Sequence, residues 1–522
     1  MAIMGKSITT ITDRFDGGIV NDPRDTSESV STMLTNFDIL TDSHRMIPYR
    51  SAVSGDSAAS TSLKRNFAIA LRTGTTYSLY ALGGQAAQPG RAEILYKDLT
   101  IGSANDLDDD AWAATSSYQS VSGATSFDLF VYYQRTGYIY GAKAGTTIWA
   151  YAPGGGTFDE DGSGVSASIT YTQIGQGLVH PKDDVLYIPY ANSTGAFIAS
   201  NNDGTWNATA LTLPKHLNPT SISAYGNYIA IACAPISGVG NSVVYLWDRD
   251  SSLATLSESI DWGSGVIKII EEVDGILIGI SLIGGLGGQT GITFNDRIII
   301  RYLSGNNAIK LKELISGGTS TQLPIAKQRV NNRLYFMAMI SLQGATREGV
   351  WSIGRVSPSS PMTLIHERTP NNDTALSSGT LYNFFVVGDF MFTSYISSSV
   401  HNLTKTDSSA NYTATAIYES KKFNLGESSI TKKLLGVTVM TEYLPTAGQV
   451  VIKYKKDEET SYTTIFTNTT DNSISHSAIN IESSGANLPE FKEIQFRIES
   501  TGGVVITGFK FRSEIILKDL ND

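Results

Sequence analysis

Tyr77-Ser78-Leu79-Tyr80, Tyr138-Ile139-Tyr140, Val185-Leu186-Tyr187-Ile188, Tyr228-Ile229-Ala230-Ile231, Ile276-Leu277-Ile278, Leu334-Tyr335-Phe336 and Phe390-Met391-Phe392 are seven versions of one short phrase. Each is built from aromatic and aliphatic residues that favour strands. A turn residue stands just before every copy: Gly74, Gly137, Asp184, Gly226-Asn227, Asp274-Gly275, Asn332 and Gly388-Asp389. The copies recur at steps of about 40 to about 60 residues, the size of a propeller blade made of one small antiparallel sheet. One such sheet cannot bury both faces, whereas sheets packed around an axis can. The repeat therefore predicts an all-β chain whose middle is a β-propeller of seven blades. It does not name a function, because propellers host catalysts, binders and structural parts alike.

Working outward, the 522 residues exceed one ordinary core, and 41% hydrophobic content with 10% aromatics is enough to bury one or more. Forty-nine Gly and 25 Tyr suit a turn-rich β protein. The formal charge of −10 argues against a broad nucleic-acid-binding surface, though not against DNA passing without adhering. The single cysteine, Cys233, lies in the apolar run 229–234 and reads as a small core residue. Residues 1–7 hold no apolar signal core and no run reaches membrane-spanning length. A soluble cytosolic product with no membrane insertion is expected.

Residues 1–62 read as an extended arm followed by a small, polar joint, and residues 63–405 as the propeller. After a change of composition near 402–412 the strands lengthen, and turns such as Pro445-Thr446-Ala447-Gly448 separate them. Residues 413–518 are thus expected to form a C-terminal β-sandwich or jelly roll.

Signs of chemistry are few. Ser200-Asn201-Asn202-Asp203-Gly204-Thr205-Trp206 is close to the Asp-box of sialidase-type propellers, but its Gly-to-Trp gap is one residue short and it occurs once. It reads as a decorated hairpin, and arginines such as Arg65, Arg72, Arg135, Arg301 and Arg333 show no context that singles out a carboxylate-binding three. Trp247-Asp248 reads as a strand end. The clusters Asp106, Asp108, Asp109, Asp110 and Asp159, Glu160, Asp161 lack the spacing of a calcium loop and read as solvated loop charge. Gly284-Gly285-Leu286-Gly287-Gly288 has no strand-to-helix context for a dinucleotide. The six histidines are scattered; His180, near Asp183 and Asp184, could orient a base, yet no nucleophile elbow accompanies it. Tyr132, Tyr133, Tyr138, Tyr140 and Trp149 crowd one blade, where most should be core. No catalytic residue, cofactor site or metal site is assigned, and the chain is expected not to be an enzyme.

The most specific segments lie at the two ends. Phe15-Asp16-Gly17-Gly18-Ile19, Asn21-Asp22-Pro23-Arg24-Asp25, Asn36-Phe37-Asp38-Ile39 and Arg45-Met46-Ile47-Pro48-Tyr49-Arg50-Ser51 open the chain. Tyr418-Glu419-Ser420-Lys421, Tyr443-Leu444-Pro445 and the run 491–503 close it. These stretches resemble structural proteins of tailed bacteriophages, of the propeller-containing tail or nozzle type. The resemblance implies a virion tail component, nozzle- or adaptor-like, assembled in the host cytoplasm. It implies a homo-oligomeric ring, commonly of six copies, with neighbouring tail or adaptor proteins as partners. Genomic DNA would pass without specific binding. The arm would supply interface anchors, Phe15, Ile19, Phe37, Ile39 and Tyr49, so that deleting residues 1–50 leaves a folded domain that no longer enters particles. The alternative expectation is a receptor-binding tail protein for a host surface glycan, with a glycan-degrading enzyme further behind.

Overall fold

The computed structural model describes residues 7–15, 18–19, 24, 30–54, 62–74, 76–85, 92–100, 112–114, 129–143, 147–154, 157–159, 169–236, 240–252, 256–284, 297–316, 326–342, 345–370, 380–388, 390–397, 400–406, 412, 415–426, 428–469, 475–478 and 489–516. Regular structure among them is strand throughout: the protein is all-β. It divides into two compact units, one of residues 53–341 with 376–408, the other of residues 1–52, 342–375 and 409–522.

The first unit is a β-propeller. Each quoted phrase lies on the second strand of an antiparallel meander, and each turn site before it holds a residue with positive φ. At Asp184 (53°), Asp274 (53°) and Asn332 (57°) that residue is not glycine. Asp and Asn tolerate this left-handed backbone better than other side chains, and it is what a tight hairpin demands. Four four-stranded meanders run in plain sequence order, the last of them as part of a longer sheet. They are Ser62–Thr73, Thr76–Gln85, Ala92–Thr100 and Ala113–Ala114; Phe130–Tyr133, Tyr138–Lys143, Thr147–Ala152 and Thr157–Asp159; Leu217–Tyr225, Tyr228–Pro235, Asn241–Trp247 and Glu258–Ser264; and Val266–Val273, Ile276–Ile283, Arg297–Ser304 and Asn307–Ser316. Between the second and third of these lies a sheet in which Gln173–Ile174 and Leu178–Val179 share the edge of Leu186–Asn192, followed by Gly195–Asn202 and Thr205–Leu213. Lys327–Val330 pairs with Arg333–Leu342. The last meander, Thr380–Val387, Phe390–Ser397 and Val400–Thr406, is completed by Ala52–Ser54 from near the start of the chain.

Face-to-face burial makes these meanders a ring. Ala68, Ala70 and Tyr80 pack with Ile139, Trp149 and Tyr151 of the next sheet. Tyr133, Tyr140 and Ile148 pack with Leu186, Ile188 and Tyr190. Ile198 and Leu211 meet Ile229, Ile231 and Cys233, and Ala230 and Trp262 meet Ile267 and Ile270. Phe67, Leu79 and Trp112 of the first sheet close on Phe392 and Leu403 of the last. Each fully buried aliphatic or aromatic side chain contributes about 1.5–3 kcal/mol.

The second unit holds, among the described residues, a two-stranded sheet, Phe37–Asp38 with Ile47–Pro48, and two larger ones. One is ordered Ser7–Thr12, Ile506–Ile515, Lys432–Thr441 and Ser475–Ala478, with Glu490–Phe491 also on Lys432–Thr441. The other runs Ala345–Gly354, Thr363–Arg368, Val30–Thr35, Ala416–Ser420, Ile494–Thr501, Gln449–Lys456 and Thr463–Asn468. Phe496 of the second sheet lies 5.0 Å from Phe509 and 4.9 Å from Phe511 of the first, ring centre to ring centre, so the sheets pack face to face. The boundaries expected at 1–62, 63–405 and 413–518 are corrected here. Val30–Thr35 is an interior strand, antiparallel to Ala416–Ser420 on one side and parallel to Thr363–Arg368 on the other. The described residues among 7–52 are therefore not a separate arm. The C-terminal strands are not a domain by themselves either; residues 1–52 and 342–375 complete it.

Candidate functional site

The five expected anchors fall inside this two-sheet unit. Phe15 and Ile19 are 2% and 1% exposed, and Phe37 and Ile39 are fully buried. The Phe15 ring meets Tyr418 edge-on at 5.6 Å, and its N–H donates to Ser43 O at 2.8 Å. Tyr49 is half-buried, and its N–H donates to Asn36 O at 2.9 Å. Asn36 Nδ2 in turn donates to Thr415 O at 3.0 Å. The side chains of Phe15, Ile19, Phe37 and Ile39 belong to their own chain's core, which corrects their assignment as interface anchors, while Tyr49 stays partly exposed.

The same segment contributes a different feature. Arg24 borders a cleft of about 690 Å³ with Asn424, Asp457, Glu458, Lys492 and Glu493, and an adjoining hollow of about 230 Å³ adds Lys421 and Lys422. Arg24 Nε and Nη2 donate to the Glu493 carboxylate at 3.1 and 3.0 Å, and Nη2 reaches Glu458 Oε1 at 3.4 Å. Lys422 Nζ donates to Asp457 O at 2.8 Å and stands 3.7 Å from Glu493 Oε2. Asp457 Oδ1 accepts from the backbone N–H groups of Lys492 and Glu493, which fixes the turn that carries both. The cleft thus presents cations and carboxylates in alternation.

In the propeller, the groups that the sequence singled out are committed to structure. His180 is buried, its Nε2 3.3 Å from Tyr228 O, and burial holds its pKa below the usual imidazole value. Asp183 Oδ2 accepts from Tyr187 Oη at 3.0 Å and from Arg249 Nη1 at 2.5 Å, while Oδ1 accepts from Val185 N at 3.2 Å. Arg135 spans to Asn202 Oδ1 at 2.8 Å and lies 3.9 Å from both Asp184 and Asp203. Asn201 Oδ1 accepts from Gly204 N at 2.8 Å, and Trp206 packs edge-on against Tyr140 at 5.5 Å, so the Asp-box-like turn is a structural hairpin. Trp247 is core, edge-on to Tyr187 at 5.6 Å. Tyr133, Tyr140 and Trp149 are buried as well. Asp106 to Asp110, Glu160, Asp161 and Gly285 to Gly288 lie outside the described residues. Among the described residues, no cluster of three or more His, Cys, Asp or Glu could hold a metal ion.

Two constellations escaped the sequence. On the innermost strands of the propeller, Lys327 Nζ donates to Ile222 O and Ile270 O, each at 2.6 Å, and pairs with Glu271 Oε2 at 2.8 Å. Ser223 Oγ donates to Glu271 Oε1 at 2.8 Å. Gln328 continues the stitching: its Nε2 donates to Val386 O at 2.7 Å and its Oε1 accepts from Val386 N at 2.6 Å. In the two-sheet unit, the buried strand Thr363–Arg368 carries His366, Glu367 and Arg368. Burial lowers the His366 pKa to about 3, with Nε2 at 3.2 Å from Glu348 O. Burial raises Glu367, which accepts from Ser352 Oγ, well above the carboxylate range, and raises Glu348 to about 7 against a smaller opposing pull from Arg347. No single sequence window reveals these groups, because each partner comes from a different strand.

No protein-family model matches the chain, and no curated protein sequence matches it. Solved structures similar to it include the β-propeller domain of Cps50 (Swd1) from Myceliophteria thermophila, 9% identical, TM-score 0.38, covering 68% of this chain and 99% of that one. A glycoside hydrolase is 11% identical, TM-score 0.28, covering 88% and 99%. The GH43 endo-arabinanase from Bacillus licheniformis is 10% identical, TM-score 0.29, covering 59% and 99%. Two of these structures are hydrolases, which runs against the expectation that the chain is not an enzyme.

Proposed function

We propose that this protein is a structural component of a bacteriophage tail, nozzle- or adaptor-like, that builds a homo-oligomeric ring, with six copies as the natural number. In this reading the propeller has seven blades, and the ring helps retain and deliver genomic DNA. Neighbouring tail proteins complete the assembly, which takes place in the host cytoplasm. One observation carries the proposal. The stretches at the two ends that resemble tail proteins are far apart in sequence yet fold into one unit, where the Phe15 ring meets Tyr418 and Tyr418 pairs with Ile498. A resemblance that covers the repeated middle more loosely and is most specific in one folded unit is what a shared assembly platform would leave. The charged cleft at Arg24 and Glu493 belongs to the same unit and suits a neighbouring tail protein. Peptide mass spectrometry of purified particles tests the reading. The chain should be present at a fixed, multiple copy number, and its absence from particles would refute the proposal.

A second reading, glycan recognition, has an observation in its favour. Tyr77, Tyr138 and Tyr228 are 36–38% exposed, and each follows the first hairpin turn of its sheet, so all three belong to one face of the propeller. Exposed aromatic rings stack on sugars. Binding on a glycan array that is lost on replacing these tyrosines by alanine would favour it.

A further inference from the structure

Arg24 comes from near the start of the chain, while every other residue that lines its cleft and the adjoining hollow lies between 421 and 493. That wall is held by its own backbone. Phe423 N donates to Ile494 O at 2.8 Å, Ile494 N to Phe423 O at 3.1 Å, and Asp457 N to Glu493 O at 2.9 Å. Asp457 Oδ1 answers by accepting from Lys492 N and Glu493 N at 2.8 and 3.0 Å. None of these bonds involves residue 24. The Glu493 carboxylate is thus positioned by the strands that carry it, and a pre-set receptor loses little entropy when its ligand arrives.

The cation seated there is a guanidinium. Arg24 Nε lies 3.1 Å from Glu493 Oε1 and 3.2 Å from Oε2, and Nη2 lies 3.0 Å from Oε2. A planar fork makes this contact and a point-like ammonium does not. Glu493 is 10% exposed, but Arg24 is 57% exposed, and its outer contact, with the 87% exposed Glu458, is long at 3.4 Å. Ion pairs open to solvent contribute only about 0–1 kcal/mol, so a competing cation can replace such a partner. Lys422 Nζ, 3.7 Å from Glu493 Oε2, stays beside the carboxylate during the exchange.

We propose that this cleft receives an arginine side chain of a partner protein, and that Arg24 occupies it in cis until the partner's guanidinium displaces it. This deepens the proposed tail function and rests on it only for the partner being a neighbouring tail protein. The ligand class is given by the group already seated: a forked cation on Glu493, with Glu458 at the mouth. The chain's charge of −10 favours the approach of a basic segment.

The test uses the full chain in three forms: wild type, Arg24→Ala, and Arg24→Ala combined with Glu493→Gln. Circular dichroism checks that each is folded. The probes are N-acetyl-arginine amide and N-acetyl-lysine amide, titrated by ligand-observed NMR. Wild type should bind the arginine probe, and Arg24→Ala should bind it roughly tenfold more tightly, since an occupant that fills a site about nine-tenths of the time weakens a competitor by that factor. The lysine probe should bind more weakly than the arginine probe to both. The combined variant should lose the gain, because the forked acceptor is gone. Binding by Arg24→Ala with none by wild type would make Arg24 a fixed part of the fold and overturn the exchange. Equal affinities for wild type and Arg24→Ala, or a combined variant that binds as well as Arg24→Ala, would overturn the receptor itself. These failures are distinguishable from failure of the functional reading. If the chain is found in particles and the probes do not bind, the cleft proposal falls and the tail reading stands. If the chain is absent from particles, the tail reading fails whatever the probes do.

Discussion

Lys327 is the most informative single residue to remove. It is 10% exposed and its partner Glu271 17%, so solvent screens the pair weakly. Lys327→Ala leaves the Glu271 carboxylate with only the Ser223 hydroxyl, and it withdraws the donor from two carbonyls on neighbouring inner strands. Removing one partner of a buried pair typically costs about 3–5 kcal/mol, because a charge is left without its counter-ion. Large domains lose roughly 2 °C of melting temperature per kcal/mol, so the expected fall is about 6–10 °C. Differential scanning calorimetry of the purified chain reads it. Adding Glu271→Gln should recover part of the loss, since the orphaned charge is gone, giving a coupling of about 1–3 kcal/mol in the double-mutant cycle. A Lys327→Ala melting temperature within about 2 °C of wild type, or strictly additive losses, would refute the idea that this ammonium clamps three inner strands together.

Four other perturbations probe the rest. In Gly141→Ala the new Cβ would stand 2.0 Å from Trp149 Cζ2, so the indole must move; a loss of about 1–3 kcal/mol with altered tryptophan fluorescence is expected, and an unchanged emission would contradict the packing. Phe37→Ala should cost about 3–5 kcal/mol, since the ring is fully buried, and deletion of residues 1–50 should leave the C-terminal sheets open to limited proteolysis; a resistant truncated chain would restore the separate-arm reading. Glu348→Gln should change the pH profile of stability. The raised carboxyl favours folding below its unfolded value near 4.5, and that advantage is lost as pH rises through about 7. The variant should therefore gain on wild type between pH 5 and pH 8 in thermal melts, whereas parallel profiles would show that the carboxyl is not held up. His366 acts with the opposite sign, its contribution present above the ordinary imidazole value and lost as pH falls toward about 3, so the comparison is made against wild type at each pH.

The propeller was legible because its signal is local. A turn residue and the strand after it lie within a few positions, and a backbone with positive φ leaves Gly, Asp or Asn as its trace at Gly137, Asp184 and Asn332. The boundaries were not legible because they depend on pairing across the chain. Nothing near Val30–Thr35 announces that its neighbours are residues 363–368 and 416–420. The apolar residues Phe15, Ile19, Phe37 and Ile39 were recognised as anchors, but sequence alone does not say whether an anchor binds another copy or its own chain. Lys327 was invisible for a related reason: its acceptors are backbone carbonyls at 222 and 270, which any residue type supplies. The Thr363–Arg368 strand was missed because three ionisable residues in six read as surface, whereas all six are buried.

The central claim is a tail ring whose platform is made from both ends of the chain. Averaged electron images of intact particles, labelled through a tag on this protein, test it most directly. The account predicts density for a closed ring of copies on the tail axis, with the two-sheet units forming the continuous wall. Label found as single copies on peripheral fibres, or nowhere on the particle, would contradict it.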